Sequence, residues 1–253
     1  MSAPLLSVRD LRVAFPTRQG VFEAVRGVSF DLGPGLALGV IGPSGAGKTT
    51  LARALIGAWP VAGGSIRLDG ATLDQYDPDV LGGLVGYLPQ QVTLFDGTIA
   101  ENIARLSPDP DPQRIVAAAT AAAAHRMILD LPLGYDTPVS HSGGRLSGGQ
   151  IQRIGLARAL YADPAIFVLD EPNSNLDNEG SAALNLAIRT IKARGGAVII
   201  MAHRPAAISE CELLLVMEQG MRRAFGPRDE VLQSVVRNAE QIARSKGQGG
   251  GVT

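Results

Sequence analysis

Two adjacent carboxylates, Asp170 and Glu171, end the apolar segment AIFVLDEP, which is typical of a buried strand. At the carboxyl edge of a parallel sheet such side chains face the ligand crevice. There Asp170 is predicted to hold Mg²⁺, directly or through water, and Glu171 to polarise an attacking water as a general base. Considered alone, the two charges could also simply cap the strand. Their interpretation therefore depends on a phosphate site elsewhere in the chain.

The segment GPSGAGKTT supplies such a site, because its glycines let successive backbone N–H groups point inward at a triphosphate. Lys48 is predicted to place its positive charge at the β- and γ-phosphates, and the hydroxyl of Thr49 can reach Mg²⁺. An apolar strand before it and a helix after it are the context that this loop requires. The predicted nucleotide-binding residues are Gly42, Pro43, Ser44, Gly45, Ala46, Gly47, Lys48, Thr49 and Thr50.

A second glycine turn, LSGGQ at Leu146–Gln150, precedes an amphipathic helix. Ser147 can cap that helix, and the positive helix end would suit an anion. Many helices begin with serine and glycine, so the chemistry alone leaves a purely structural turn open. The residues predicted to contact a phosphate here are Ser147, Gly148, Gly149 and Gln150.

Three further candidates are weak when each is considered alone. His203 follows the strand AVIIMA and could reach a γ-phosphate, although a lone histidine there is more often structural. Gln90, in YLPQQ, could equally be a surface residue. Phe15, in VAFP, could stack an adenine ring or belong to the core.

The composition narrows the class of protein. The chain has 253 residues, of which 45% are hydrophobic and 19% are charged, an ordinary globular balance. Its formal net charge of −1 lacks the basic excess of a nucleic-acid-binding protein, and no nucleic-acid partner is expected. The single cysteine, Cys211, excludes an intrachain disulfide, fits a reducing compartment and is expected to be packed and inert. No apolar run approaches the roughly 20 residues of a membrane span, so the chain is expected to be cytosolic.

The elements follow from hydrophobic periodicity. Alternating residues in VSFDL and SIRLDG predict half-buried antiparallel strands, and the continuously apolar LALGVIG predicts a strand covered on both faces. Thr98 and Glu101 have capping-box spacing for a helix that Ser107-Pro108 is expected to end. From Pro164 a strand–helix–strand unit follows, and then a hairpin about Gln219-Gly220.

These elements predict an α/β fold: a phosphate-loop NTPase core with an antiparallel β subdomain and an inserted α-helical subdomain. We expect the first part of this core at residues 1–88 and the helical insertion at 89–163. The second part of the core is expected at 164–240, and residues 241–253 are expected to be a disordered tail.

The motifs together resemble the ATP-binding cassette (ABC) ATPase family over residues 5–235. Six motifs occur in that family's order and spacing: GPSGAGKTT, Gln90, LSGGQ, FVLDEP, SNLD (ending at Asp177) and AHR. The resemblance implies a homodimer in which two ATPase domains associate head to tail. Ser147, Gly148 and Gly149 would then cover the ATP held by the phosphate loop of the partner.

The resemblance also assigns roles to single residues. Phe15 resembles the adenine-stacking aromatic, although the family more often has tyrosine there. Gln90 resembles the glutamine that senses Mg²⁺ and water and couples to the transmembrane partner. Glu171 resembles the catalytic glutamate, His203 the switch histidine on the γ-phosphate, and Asp177 the aspartate that links the two sites. None of these is missing, so an active hydrolase that uses ATP and Mg²⁺ is implied.

A finer resemblance points to export. The segment YLPQQVTLFDGTIAENIARL is similar to the corresponding segment of ABC exporters. The segment GAWPVAGGSIRLDGATLDQYDPDVLGGLVGYLPQ is similar to the ATPase domains of type I secretion systems, especially the protease-secreting type. In those proteins the ATPase domain follows six membrane helices, so the chain is either an excised domain or a natural subunit. Ser140-His141 replaces the Gly-Glu pair that exporters usually have before the signature. This replacement puts in question the acidic contact that the family makes with its partner domain.

The resemblance therefore implies an ATPase at the cytoplasmic face of the inner membrane that powers the export of an unfolded polypeptide. It would be held there by a transmembrane domain, fused or associated, and a polypeptide exported by type I secretion is the expected cargo. Two alternatives remain: a soluble ABC ATPase that acts on ribosomes or DNA, and the ATPase subunit of an importer.

Overall fold

The computed structural model describes residues 3–18, 20–140, 146–173, 176–202 and 208–235. The strands are β1 (Leu6–Thr17), β2 (Gly20–Leu32), β3 (Ala37–Ile41), β4 (Gly63–Leu68), β5 (Ala71–Thr72), β6 (Val85–Leu88), β7 (Gly97–Thr98), β8 (Pro138–Val139), β9 (Ile166–Asp170), β10 (Ala197–Ala202), β11 (Leu213–Glu218) and β12 (Met221–Pro227). The helices are α1 (Lys48–Leu55), α2 (Pro78–Leu84), α3 (Ile99–Ile103), α4 (Pro112–Ala121), α5 (His125–Leu129), α6 (Gly148–Leu160), α7 (Asn178–Ala193) and residues 228–235. Two 3₁₀ turns lie at Leu73–Gln75 and Gly134–Asp136.

A six-stranded sheet forms the centre of the fold, in the order β12-β11-β3-β10-β9-β6. All its neighbouring pairs are parallel except β11 and β12, which form the antiparallel hairpin predicted about Gln219-Gly220. Because parallel strands end at the same edge, the segments that follow β3, β6, β9 and β10 meet there. The predicted α/β fold is confirmed.

Strand β9 is buried on both faces, which explains its continuously apolar sequence. Phe167 and Leu169 belong to a core formed with helices of the middle segment and α7. Ile166 and Val168 point the other way, into a core shared with α1 and the antiparallel strands. Successive side chains of a strand alternate between faces, so one strand serves both cores.

A second, four-stranded sheet covers α1, in the order β2-β1-β4-β5 with antiparallel pairs. Val8, Leu11, Val25 and Val28 are fully buried on its inner face. The alternation predicted for VSFDL and SIRLDG is therefore confirmed, although β2 extends over 13 residues, well beyond the five of that motif.

The helical segment between β6 and β9 begins with the predicted capping box. Thr98 accepts from the backbone of Glu101, and the Glu101 carboxylate accepts from the backbone of Thr98. The helix ends at Ile103, so the prediction that it runs to Ser107-Pro108 was wrong. Arg105 has a left-handed backbone (φ 59°), and its guanidinium donates to the carbonyls of Arg158 and Ala159, which fixes this early turn.

Cys211 is packed as predicted, with 2% of its surface exposed. Burial raises the pKa of its thiol to about 12, so little of the reactive thiolate forms at neutral pH.

In the part of the chain that the structure describes, no helix combines the length and the apolar character that a bilayer crossing requires. The predicted disordered tail lies outside the described residues.

Candidate functional site

A cavity of about 390 Å³ opens at the carboxyl edge of the sheet, over the loop between β3 and α1. Its size is in the range of small-molecule sites. Most of the predicted phosphate loop lines it, together with Gln90, which follows β6, and Glu171, which follows β9. The lining residues are Phe22, Ala24, Ser44, Gly45, Ala46, Gly47, Lys48, Thr49, Thr50, Gln90 and Glu171.

Two glycines of the loop cannot be replaced without moving backbone. At Gly47, where φ is +92°, an added Cβ would lie 2.4 Å from the carbonyl oxygen of Ala24. At Gly42 it would lie 2.1 Å from the carbonyl oxygen of Met217. The loop is therefore pressed against β2 and β11, and its wrapped shape is set by the fold.

Lys48 lies within this loop with 6% of its surface exposed. Its ammonium group donates to the carbonyls of Gly42, at 2.7 Å, and Pro43, at 3.0 Å. Burial lowers the pKa of Lys48, while the negative charges of Glu171 and Asp170 raise it in part. A triphosphate in the cavity would offer this cation a stronger partner than two neutral carbonyls.

Asp170 ends β9 beside the loop and is 1% exposed. In the described part of the chain, neither of its carboxylate oxygens has a hydrogen-bond partner. Burial raises its pKa, and the hydroxyl of Thr49 lowers it in part. The buried carboxylate of Asp170 and the neighbouring hydroxyl of Thr49 are hard oxygen ligands of the kind that Mg²⁺ prefers, so these residues fit the predicted ion.

Glu171 is held at the cavity by its neighbours. The Nε2 of Gln90 donates to its Oε2 at 3.1 Å, and its backbone N–H donates to the carbonyl of Met201 at 3.0 Å. Its φ of +49° is rare for a residue other than glycine and costs on the order of 1 kcal/mol. The surrounding strands therefore impose a conformation that turns the carboxylate toward the phosphate loop.

The signature turn lies elsewhere on the chain. Ser147 caps α6, accepting from the backbone of Gln150 at 3.3 Å, and the Gln150 side chain accepts from the backbone of Ser147 at 2.8 Å. Ser147 and Gly148 are exposed, and the lining of the cavity over the phosphate loop includes no residue of this turn. At Gly148 an added Cβ would meet no heavy atom of the described residues within 4 Å.

Asp177 has a structural role within the chain. It caps α7 by accepting from the backbone of Gly180 at 2.8 Å, and both its oxygens accept from Arg153. The bond to Arg153 lowers the pKa of Asp177, and the bond to Gly180 lowers it further. Its predicted link between two sites stays a prediction. Ser174, His141 and the predicted switch residue His203 lie outside the described residues.

The aromatic next to the cavity is one that the sequence did not suggest. Phe15 is half-buried and packs edge-on against Trp59, with 4.9 Å between ring centroids. Phe22, its partner across the β1–β2 pair, lines the cavity and is 53% exposed. No sequence pattern marks this phenylalanine, because its position over the loop depends on the register of β2 with β1. The adenine contact of Phe15 stays a prediction.

Residues 25–174 match the family model described as ABC transporter. This region covers more than half of the chain and contains the phosphate loop, the signature turn and both carboxylates.

The chain belongs to the ABC transporter family.

This ABC protein is similar to exporters in particular. It is 53% identical to the type I secretion system ATP-binding protein PrsD of Rhizobium meliloti (strain 1021), over 94% of the chain and 40% of that protein. It is 39% identical to the cyclolysin secretion/processing ATP-binding protein CyaB of Bordetella pertussis (strain Tohama I), over 87% of the chain and 31% of that protein. A solved structure, a bacterial Atm1-family ABC exporter with ATP bound, aligns with a TM-score of 0.83 and 32% identity, covering 97% of the chain and 42% of that protein.

The resemblance to exporter-type ABC ATPases, and within them to type I secretion proteins, is thus confirmed. The chain spans less than half the length of each of these three relatives. Its similarity therefore concerns their ATP-binding part.

Proposed function

We propose that the chain is the ATP-hydrolysing nucleotide-binding domain of an ABC exporter. The observation that carries the proposal is the meeting of Lys48, Gln90 and Glu171 around one cavity at the sheet edge. Lys48 and the loop N–H groups would bind the phosphates of ATP, and Asp170 with Thr49 would hold Mg²⁺. When bound, Mg²⁺ would neutralise charge on the phosphate oxygens.

In the proposed reaction, a water attacks the γ-phosphorus and the bond to the leaving ADP oxygen breaks. Glu171 orients that water and takes its proton, and inorganic phosphate and ADP leave. The hydrogen bond from Gln90 holds the Glu171 carboxylate in place for this step. The role of His203 on the γ-phosphate is proposed from the family resemblance, as is the adenine contact of Phe15.

We propose that the complete site needs two chains, arranged head to tail. The signature turn has exposed backbone at a helix N-terminus, which suits a phosphate, yet it is not part of the chain's own cavity. Ser147, Gly148, Gly149 and Gln150 would cover ATP held by the partner's loop, with Asp177 at the contact. Loss of the γ-phosphate would then weaken the dimer.

Gly148 offers a specific test, since no described residue of the chain is close enough to require glycine there. Gly148→Ala should leave the monomer folded with a melting temperature close to the wild-type value, because the added Cβ meets no heavy atom of the described residues within 4 Å. The same Cβ would face the partner's nucleotide, so ATP-dependent dimerisation measured by size exclusion should fall. Unchanged dimerisation would contradict a close approach of the nucleotide at this position.

The dimeric site itself is tested by the dependence of ATPase activity on protein concentration. At concentrations below the dimer dissociation constant, the rate should rise with the square of the concentration, because each active unit contains two chains. A linear rise across that range, with no dimer detectable in ATP, would show that one chain is sufficient.

We further propose a transmembrane partner, fused or associated, at the cytoplasmic face of the inner membrane, and export of a polypeptide by type I secretion. The similarity to PrsD and CyaB supports this cargo class, and the chain spans only 40% and 31% of them. Residues 89–163 would form the helical signature subdomain between the two parts of the core. Neither a ribosome- or DNA-acting ATPase nor an importer subunit is favoured by these relatives.

A further inference from the structure

Three buried side-chain atoms lack a hydrogen-bond partner within the described residues: the hydroxyl oxygen of Tyr87 and the two carboxylate oxygens of Asp170. Buried polar atoms are normally paired, and an unpaired one calls for a specific explanation. The proposed Mg²⁺ site explains the two unpaired oxygens of Asp170. The Tyr87 hydroxyl has no assigned role, although a phenylalanine would fill the same space without an unpaired oxygen.

The strand register brings the two residues together. Strands β6 and β9 are parallel neighbours, and Tyr87 lies opposite Val168. Asp170 is two residues further along β9, so its side chain lies on the same face of the sheet as those of Val168 and Tyr87. Such diagonal neighbours are within reach of an aromatic side chain. This face of the sheet packs against α1, the helix that begins at Lys48 and carries Thr49.

The local charges fit a hydroxyl that donates. Burial raises the pKa of Tyr87, the negative charge of Asp170 raises it further, and the Arg53 guanidinium lowers it in part. A phenol O–H is a hydrogen-bond donor, and the Asp170 carboxylate on the same face of the sheet is an acceptor that lacks a donor among the described residues. Arg53 is itself placed by stacking over Trp59, 4.7 Å from the ring centroid, which fixes this side of the tyrosine environment.

We propose that Tyr87 is a positioning residue for the metal site, whose hydroxyl donates, directly or through one water, to the Asp170 carboxylate. This bond would hold one carboxylate oxygen and leave the other directed at the ion. The inference rests on the proposed function, because Asp170 has a metal to hold only if the chain binds ATP with Mg²⁺. Outer partners of this kind orient metal ligands and tune their affinity.

The test compares Tyr87→Phe with a matched control, Tyr76→Phe. The Tyr76 hydroxyl donates to the carbonyl of Leu68 at 2.6 Å, outside the cavity over the phosphate loop. Electron paramagnetic resonance of Mn²⁺ would measure metal affinity in the presence of a non-hydrolysable ATP analogue. Tyr87→Phe should weaken Mn²⁺ binding about 10-fold, with nucleotide affinity in EDTA unchanged. Its metal-free melting temperature should not fall, because only an unpaired hydroxyl is removed.

Tyr76→Phe should behave in the opposite way, with a lower melting temperature and unchanged Mn²⁺ affinity. If Tyr87→Phe binds Mn²⁺ as tightly as the wild-type chain, the inference is wrong while the proposed function stands. It is equally wrong if Tyr87→Phe lowers the metal-free melting temperature and the EDTA-state nucleotide affinity as well, since the hydroxyl then serves the fold. If the wild-type chain binds neither nucleotide nor metal ion, the proposed function itself fails.

Discussion

Replacing Glu171 by glutamine is expected to lower kcat for ATP hydrolysis by about 10²- to 10⁴-fold, the usual contribution of a general base. Glutamine has the same shape, and its amide oxygen can still accept from Gln90, so the geometry of the cavity is kept. The amide cannot take the proton of the attacking water. ATP binding should therefore persist within a small factor, and an ATP-bound dimer should accumulate on size exclusion in Mg²⁺ and ATP.

The matched control is Glu230→Gln, which makes the same chemical change on the exposed helix at residues 228–235. It should leave both kcat and ATP affinity at wild-type values. Hydrolysis by Glu171→Gln at the wild-type rate would mean that another group activates the water. Loss of ATP binding in that variant would mean that the carboxylate serves the nucleotide site as a whole, and the assignment of Glu171 as the base would be withdrawn.

Local patterns in the sequence were sufficient for the parts of the site that lie within a few residues of one another. The phosphate loop is one, because its strand, glycines and helix are contiguous in the chain. The capping box at Thr98 and the helix cap at Ser147 are others, since each joins residues three positions apart. For the same reason, the buried strand before Asp170 could be identified from its continuous apolar character.

The contacts that could not be predicted from the sequence depend on which strands become neighbours in the sheet. The order β3-β10-β9-β6 differs from the order along the chain, and only this arrangement brings Gln90 within 3.1 Å of Glu171. Tyr87 and Phe22 are invisible to pattern reasoning for the same reason, because each is placed by register with a distant strand. The early end of α3 depends on carbonyls of α6 that accept from Arg105.

Mixing two inactive chains should restore ATPase activity, if each nucleotide lies between two protomers. Lys48→Ala removes the phosphate-binding cation, and Ser147→Arg places a bulky charge on the signature turn, so either variant alone should be inactive. A dimer that contains one of each has one site in which the loop of the second variant faces the signature of the first, and both are intact. A one-to-one mixture should therefore recover roughly a quarter of the wild-type rate.

The control mixture combines Lys48→Ala with Glu171→Gln, and it separates pairing across the dimer from pairing within one chain. Lys48 and Glu171 line the same cavity of a single chain, so these defects cannot be separated onto different sites. One site of the mixed dimer lacks the lysine and the other lacks the base, and no recovery is expected. The proposed site combines the phosphate loop and the glutamate of one chain with the signature turn of its partner. Recovery of activity in the control mixture would contradict it. Absence of recovery in the first mixture, when both variants are folded, would contradict it as well.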